Sequence, residues 1–206
     1  MSAVGKGGRY HHGDLRSALV DAAIAVIAER GVHGFSMAEA SRRLGVTSAA
    51  PYRHFADRDE LLAAVGARAL QIFAAMVVAE TGSAQDPEQR IVAMVRAYVR
   101  FAAQERPLFD TRFSAGLDKS RYPELTRAWA SVDELLTVVD EICDRDPESA
   151  KALADALEAT AHGHAALLLD GEYGEGTDAV ATATDKAANA ARALIAGRAV
   201  LAQPQP

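Results

Sequence analysis

Apolar residues recur along most of this chain at intervals of three and four positions, the spacing that places side chains on one face of an α-helix. Leu15, Leu19, Ala22 and Val26 follow this spacing in the first such segment, which Gly31 ends. Stretches rich in Val, Ile and Thr, which are typical of strands, are few. The pattern therefore predicts an all-α protein of about nine helices.

Two short amphipathic segments follow the first helix. Ser36 and Glu39 form a capping box that opens a helix of about two turns, which Gly45 ends. Thr47 is placed to cap a third short helix. Two short helices joined by a tight turn that contains glycine predict a helix-turn-helix motif in an N-terminal three-helix bundle.

A long fourth helix is predicted to begin at a second capping box, formed by Asp57 and Glu60. It would connect the N-terminal bundle rigidly to a set of longer helices. The chain then divides into four parts: an N-terminal arm with the helix-turn-helix motif at 1–56, a connecting helix at 57–80, a C-terminal helical domain at 81–200 and a disordered tail at 201–206.

Prolines mark the boundaries of the later helices. Asp86-Pro87 and Asp146-Pro147 each combine a capping residue with proline at the first helical position. Arg106-Pro107 should end a helix, because the residue before proline avoids helical backbone angles. We expect helices at 87–105, 108–116, 123–144, 147–170 and 177–198. The last two are rich in alanine, and small side chains allow the close helix packing of a four-helix interface between two copies.

Charge is distributed unevenly along the 206 residues, although the net charge is −6. Residues 1–70 hold 9 basic and 7 acidic side chains, and the remainder holds 13 and 21. The slightly basic end can contact a polyanion even though the protein is acidic. A single cysteine, Cys143, suits a reducing compartment. The first residues lack the apolar core of a signal peptide, and no uncharged apolar run approaches a membrane span of about 18 residues. We therefore expect a cytoplasmic protein with no membrane partner.

The third short helix carries the side chains best suited to DNA. An α-helix fits the major groove, where small residues let its backbone approach and polar tips reach phosphates or base edges. The sequence "TSAAPYRHF" provides both kinds of residue. The small ones are Ser48, Ala49 and Ala50, and those with polar tips are Tyr52, Arg53 and His54.

The stretch "GVTSAAPYRHFADRDELL", residues 45–62, resembles the DNA-binding signature of the tetracycline-repressor (TetR) family. The upstream sequence "YHHGDLRSALVDAAIAVIAERGVHGFSMAEASRRLGV" matches in the same register, so the resemblance covers about residues 10–66 without gaps. It implies a DNA-binding regulator of transcription with a helical C-terminal domain for regulation and dimerisation.

The resemblance implies a role for each matching position. Phosphate contacts would come from Tyr52, His54 and Arg58, with Thr47 and Ser36 as further donors. Base contacts would come from the variable positions Ser48, Ala50 and Arg53. A phosphate contact is equally open for Arg53, because most hydrogen bonds to DNA go to its backbone. Lys6 and Arg9 would form an arm in the minor groove unless the terminus is disordered.

The segment "ALEATAHGHAALLLDGEY" resembles a TetR subfamily that is named for a Trp…His-Gly pattern in its C-terminal domain, although the expected tryptophan is missing. Such domains bind small effectors between helices. The candidate pocket residues are Met94, Tyr98, Phe101, Phe109, Phe113, Trp129 and His162. The alternative is that these side chains are ordinary core.

No metal or cofactor is expected. His162 and His164 would project about 200° apart on a helix and so could not converge on one ion. We find no nucleophile elbow, no phosphate-binding glycine loop and no Cys/His cluster in the sequence. We expect a homodimeric repressor that binds a palindromic operator in double-stranded DNA and is released by a small-molecule effector. The alternatives are an activator, a ligand-independent regulator, or a helical binding protein or enzyme with a vestigial helix-turn-helix.

Overall fold

A computed structural model describes residues 15–82, 84–114 and 116–201, and all regular structure in these ranges is helical. Within these ranges, three single 3-10 turns, Val32–Gly34, Pro51–Arg53 and Lys119–Arg121, accompany nine α-helices. The all-α class is therefore confirmed. The helices are α1 Leu15–Arg30, α2 Met37–Arg43, α3 Arg58–Thr81, α4 Pro87–Gln104, α5 Arg106–Ser114, α6 Pro123–Ile142, α7 Pro147–Leu169, α8 Gly176–Ala196 and α9 Arg198–Leu201.

The expected third short helix is instead the 3-10 turn Pro51–Arg53, and its cap is Ala50 rather than Thr47. In an α-helix capped by Thr47, the first intrahelical bond to the Thr47 carbonyl would come from the amide of residue 51. Proline has no amide hydrogen. The Thr47 carbonyl accepts the Ala50 amide at 3.0 Å instead, and the tighter turn continues from there.

The capping residues of both predicted capping boxes, Ser36 and Asp57, are confirmed. The Ser36 hydroxyl accepts the Glu39 amide at 3.2 Å, and the Asp57 carboxylate accepts the Glu60 amide at 2.8 Å. In a capping box the glutamate side chain should also accept the amide of the capping residue, and here other contacts replace that bond. Glu39 pairs with arginines, and Glu60 accepts the amide of Ala56, one residue before the cap. Each cap still fixes where its helix begins.

Helix α3 packs against helices of both the N-terminal and the C-terminal parts of the molecule. It packs on α1 of the N-terminal part and on α4, α5 and α6 of the rest of the molecule. Its 24 residues span about 36 Å. By length and apolar composition it could cross a membrane, which was not expected from the sequence. However, 56% of its most apolar window is buried inside the protein, as in the core helix of a soluble domain.

The C-terminal part is built around α4. This helix packs against α3, α6, α7 and α8, and α7 also packs along α8. The helix bounds follow the predicted capping residues closely. The exception is α5, which begins at Arg106 rather than near residue 108, because Pro107 is tolerated in a first turn where its missing amide hydrogen costs nothing. The carbonyl of Glu105 accepts the amides of Leu108 and Phe109, both at 2.9 Å.

Candidate nucleic-acid interface and ligand cavity

Residues 47–54, here called the 47–54 segment, form an exposed ridge held by two buried side chains. Phe55 is 1% exposed and Pro51 is also buried, and they bracket the turn. The exposed side chains between and before them include those of Thr47, Ser48 and Arg53. Pro51 thus both shapes the turn and anchors it, which the sequence alone did not explain.

Tyr52 is the most prominent side chain of the 47–54 segment. It is 58% exposed, although the aromatic ring carries a large apolar area. A tyrosine that served the fold would be packed and would have its hydroxyl satisfied inside. The exposure argues for contact with a partner. His54 is partly exposed beside it, and Ser36, at the cap of α2, is also exposed.

Arg58 adopts a geometry that the sequence did not predict. Its guanidinium donates to the Val32 carbonyl at 2.7 Å and to the Phe35 carbonyl at 3.2 Å. The same group lies 5.7 Å from the centre of the Phe35 ring and pairs with Asp59 at 3.4 Å. Arg58 therefore fastens the start of α3 to the loop between α1 and α2. A phosphate contact from this residue stays a prediction.

The helix before the 47–54 segment carries a set of ion pairs that sequence reasoning missed. Arg42 and Arg30 both pair with Glu39, and Arg43 pairs with Glu29. The hydrogen bond from Arg42 lowers the pKa of Glu39, and the hydrogen bond from Arg43 lowers the pKa of Glu29. The carboxylates thus stay charged and hold the arginines at the surface. The pair of Arg43 with Glu29 is not visible in the sequence, because the two residues lie 14 positions apart.

A cavity of about 260 Å³ lies between α4, α6 and α7, closed on one side by α3. Of the predicted pocket residues, Met94, Tyr98 and Trp129 line it. We refer to this space as the α4–α6–α7 cavity. The lining residues that were not predicted from the sequence are Phe73, Ile91, Val95, Val132, Leu136, Val139, Ala154, Asp155, Leu157, Glu158 and Ala161. The apolar spacing of Leu157 and Ala161 on α7 was the signal available for them.

Phe101, Phe109 and His162 were also expected in the pocket but do not line the α4–α6–α7 cavity. Phe101 and Phe109 are buried in the core, and the Phe109 ring stacks on His162 at 5.6 Å. The Tyr98 hydroxyl lies 3.2 Å from Nδ1 of His162. These residues form an aromatic layer beside the cavity, and a ligand contact from Phe101 or Phe109 stays a prediction. The side chain of Phe113, and Lys6 and Arg9, lie outside the described residues.

The two histidines of α7 have separate partners. His162 contacts Tyr98 and Phe109, whereas Nδ1 of His164 lies 2.7 Å from the Tyr173 hydroxyl. Burial, with a smaller effect of nearby Lys186, lowers the pKa of His164. Within the described ranges no three His, Cys, Asp or Glu side chains are grouped closely enough to hold a metal ion.

Comparison with known proteins identifies the family of both parts of the chain. The sequence model described as "Bacterial regulatory proteins, tetR family" matches residues 19–65, and that described as "Tetracyclin repressor-like, C-terminal domain" matches residues 91–191. Together the two cover more than two thirds of the chain. The Trp…His-Gly subfamily finds no support in these matches and stays a prediction.

Individual relatives agree with this family. The HTH-type transcriptional regulator BetI of Rhizobium meliloti (strain 1021) is 34% identical over 85 residues, which span 41% of this chain and 42% of BetI. The chain thus matches less than half the length of that relative. A protein of unknown function from Rhodococcus sp. RHA1 superimposes with a TM-score of 0.70 at 30% identity, covering 89% of this chain and 98% of its own.

Two further solved structures share the fold at lower identity. The TetR family transcriptional regulator PfmR from Thermus thermophilus has a TM-score of 0.61 at 18% identity, covering 84% of this chain and 97% of its own. A TetR-like transcriptional regulator from Rhodococcus sp. RHA1 gives a TM-score of 0.68 at 19% identity, covering 92% of this chain and 100% of its own. The two family matches, which together cover more than half of the chain, show that it belongs to the TetR family of DNA-binding transcriptional regulators.

Proposed function

We propose that this protein is a cytoplasmic repressor that binds a palindromic operator as a homodimer and leaves it when a small molecule enters the α4–α6–α7 cavity. One observation carries the proposal: α3 begins immediately after the 47–54 segment and contributes Phe73 to the cavity wall. The 15 residues between Arg58 and Phe73 correspond to about 22 Å of continuous helix. A change in the cavity therefore acts on the helix that follows the proposed DNA-contacting ridge.

The 47–54 segment supplies the proposed DNA contacts. Tyr52 and His54, with Thr47 and the more distant Ser36, donate to phosphate oxygens. Ser48, Ala50 and Arg53 face the base edges, where the Arg53 guanidinium can bind guanine through two hydrogen bonds. All of these residues are exposed or partly exposed. Arg58 contributes by holding the loop before α2, and a phosphate contact remains open for its unused donors.

A second path joins the cavity to the N-terminal part through α6. Trp129, Val132 and Leu136 of this helix line the cavity. Five residues before Trp129, about 7.5 Å along the helix, Glu124 forms an ion pair of 2.5 Å with Arg16 of α1. The guanidinium of Arg16 lies 4.8 Å from the centre of the Phe55 ring, the buried anchor of the 47–54 segment. A shift of α6 on ligand binding thus reaches that anchor through Arg16.

Close packing of α3 against α6 strengthens this link. A β-carbon at Gly66 would lie 3.3 Å from Cδ1 of Leu125, so the two helices approach each other with little space to spare. Since packed cores shift between discrete arrangements rather than deform gradually, movement of α6 displaces α3 as well. A ligand drives this change only if it binds the released arrangement more tightly than the DNA-bound one.

The proposed dimer uses α7 and α8, where small and apolar side chains reach the surface. Leu167 is 43% exposed, and Gly163, one turn before it on the same face, is partly exposed. We expect light scattering to give the mass of a dimer and Leu167→Glu to give a monomer. Val78→Glu is the matched control, because Val78 is 62% exposed on α3. A monomeric wild-type chain at micromolar concentration refutes the dimer.

Selection of bound DNA from a random pool tests the proposal as a whole. A palindrome with half-sites about 34–36 Å apart is the expected product. Arg53→Ala then either removes discrimination at one base pair, about 1–3 kcal/mol, or lowers the salt dependence by about one phosphate contact. Tyr52→Ala should weaken binding without changing that salt dependence, because the tyrosine is neutral. Arg127→Ala, an exposed arginine of α6, serves as the control.

Assays with the selected DNA distinguish a repressor from an activator and from a protein with a vestigial helix-turn-helix. Transcription in vitro from a promoter that contains the selected palindrome should fall when the protein is added and recover when a cavity ligand is added. Stimulation of transcription indicates an activator. Failure to enrich any sequence, with no loss of weak binding in Tyr52→Ala, points to a vestigial helix-turn-helix.

A further inference from the structure

The α4–α6–α7 cavity has an apolar interior and a mouth on one side. The exposed lining residues are Leu136 of α6 and Asp155 and Glu158 of α7, so the cavity opens between these two helices. The other lining side chains are buried or partly buried and apolar, and Tyr98 is the one among them that carries a hydroxyl. A ligand that enters from the mouth therefore exchanges water for apolar surface.

The acidic groups at the mouth do not select an ion of either sign. The Asp155 carboxylate accepts a hydrogen bond from Nζ of Lys151 at 2.5 Å. Glu158 is exposed, and water with its dissolved salt screens charges at the surface. Exposed ion pairs contribute little to binding. A charged ligand group held at the mouth therefore gains little that it does not already have in solution.

Polar groups beside the interior are engaged within the chain. The Tyr98 hydroxyl lies 3.2 Å from Nδ1 of His162, within hydrogen-bond distance. The ring of Trp129 already has a cation–π partner, because Nζ of Lys119 lies 4.8 Å from the ring centre. A ligand that carried a charge inside would lose its hydration against apolar side chains that cannot replace it. The interior therefore disfavours cations and anions alike.

We propose that the α4–α6–α7 cavity binds a small neutral molecule with an apolar body and admits it between α6 and α7. Phe73, Tyr98 and Trp129 contribute rings to the lining, which suits an aromatic body. The volume of about 260 Å³ is just below the roughly 300–1,000 Å³ of typical ligand sites, so the ligand is small. That this molecule acts as the effector rests on the proposed function, whereas its binding does not.

A series of probes with one rigid scaffold and three charges tests this preference. We would titrate the full chain with 2-indanol, 2-indanylammonium and indane-2-carboxylate, whose polar groups have no flexible tether that could reach out to water. Trp129 is the single tryptophan of the chain and lines the cavity, so its fluorescence reports binding there. The alcohol should bind about tenfold or more tightly than either ion. Equal or tighter binding of either ion overturns the proposal, and so does the absence of binding by all three.

Substitutions locate the binding and identify what selects the ligand. Ala154→Leu, at a partly exposed lining position, should weaken binding of 2-indanol about fivefold or more because it fills the space. Ala130→Leu, at an exposed position of α6 outside the lining, should leave it unchanged. Unchanged binding in Ala154→Leu overturns the assignment to this cavity.

Removal of the acids at the mouth separates the effect of the interior from that of the mouth. The double variant Asp155→Asn, Glu158→Gln should still bind 2-indanol more tightly than both ions, because the apolar interior is unaltered. If indane-2-carboxylate becomes the tightest probe in this variant, charge at the mouth selects the ligand and the proposal is overturned.

The DNA-binding readout keeps the two proposals apart. If 2-indanol binds as expected but leaves DNA affinity unchanged, ligand release fails and the neutral-ligand site stands. If DNA is bound and released by another compound while the indane series shows no preference for the alcohol, the neutral-ligand site fails and the regulatory function stands.

Discussion

Substitution of Arg58 separates a structural role from a DNA-contacting one. The guanidinium donates to the carbonyls of Val32 and Phe35, and its side chain is 38% exposed. Arg58→Ala removes both bonds, and Arg58→Lys keeps the charge but replaces the forked donor with a single ammonium. Arg58→Ala therefore removes both the charge and the forked hydrogen-bond geometry, whereas Arg58→Lys removes only the geometry.

The expected loss follows from those contacts. A hydrogen bond from a charged donor contributes about 1.5–3 kcal/mol when it is buried. Water partly replaces these two bonds, because the side chain is exposed by more than a third, so we expect about 1–2 kcal/mol for Arg58→Ala and about half of that for Arg58→Lys. For a chain of this size the corresponding fall in melting temperature is about 2–8 °C for Arg58→Ala.

Calorimetric melting and DNA titrations at several salt concentrations provide the assay. Arg68→Ala is the matched control, since Arg68 lies on the same helix in an exposed pair with Asp21 at 3.8 Å and should cost less than about 1 kcal/mol. A purely structural Arg58 lowers the melting temperature in both variants and leaves the salt slope as it was. The reasoning is refuted if Arg58→Ala melts within about 1 °C of wild type while the salt slope falls by about 0.9, the value for one phosphate contact.

Three further predictions concern other parts of the chain. Pro51→Ala restores the amide that an α-helix capped by Thr47 requires, so the NMR Cα shifts of residues 48–54 should move toward helical values; unchanged shifts would show that proline is not the cause of the 3-10 turn. Burial depresses the pKa of His164, so its protonation opposes folding, and stability should fall as the pH drops from above the ordinary value of about 6.5 toward the lower folded value. His164→Gln should flatten that part of a stability profile measured by urea unfolding, and an equally steep profile would exclude His164 as its source. Burial raises the pKa of the Cys143 thiol, which is 6% exposed, so iodoacetamide should alkylate it slowly at pH 8 in native protein and fast in urea; equal rates would contradict its burial.

Features that depend on neighbours along the chain were predictable. Ser36 and Asp57 cap α2 and α3 as their sequence context indicated, because a capping bond spans only three residues. The 3-10 turn was predictable in principle as well. Proline at position 51 removes the amide that would bond to the Thr47 carbonyl in an α-helix, although a lost bond alone does not reveal that the turn tightens.

Features that depend on tertiary packing were not predictable in the same way. Arg58 matched a phosphate-contacting position, but its side chain reaches carbonyls 23 and 26 residues away, which no local pattern indicates. Likewise, an apolar side chain at helical spacing can belong to a cavity wall or to solid core. Only the assembled helices show that Trp129 lines the space and Phe101 does not.

The 3-10 turn between Pro51 and Arg53 has a consequence for altering the specificity of this protein. Its shape is maintained by the two buried anchors, Pro51 and Phe55, and by backbone hydrogen bonds to the carbonyls of Thr47, Ala50 and Pro51. The exposed or partly exposed positions Ser48, Ala50 and Arg53 do not belong to an α-helix, so they can be randomised together with little restriction from the helix propensity of each new residue. A library at these three positions should retain most of its members as folded protein, which makes the segment a practical starting point for directing this scaffold to a different operator.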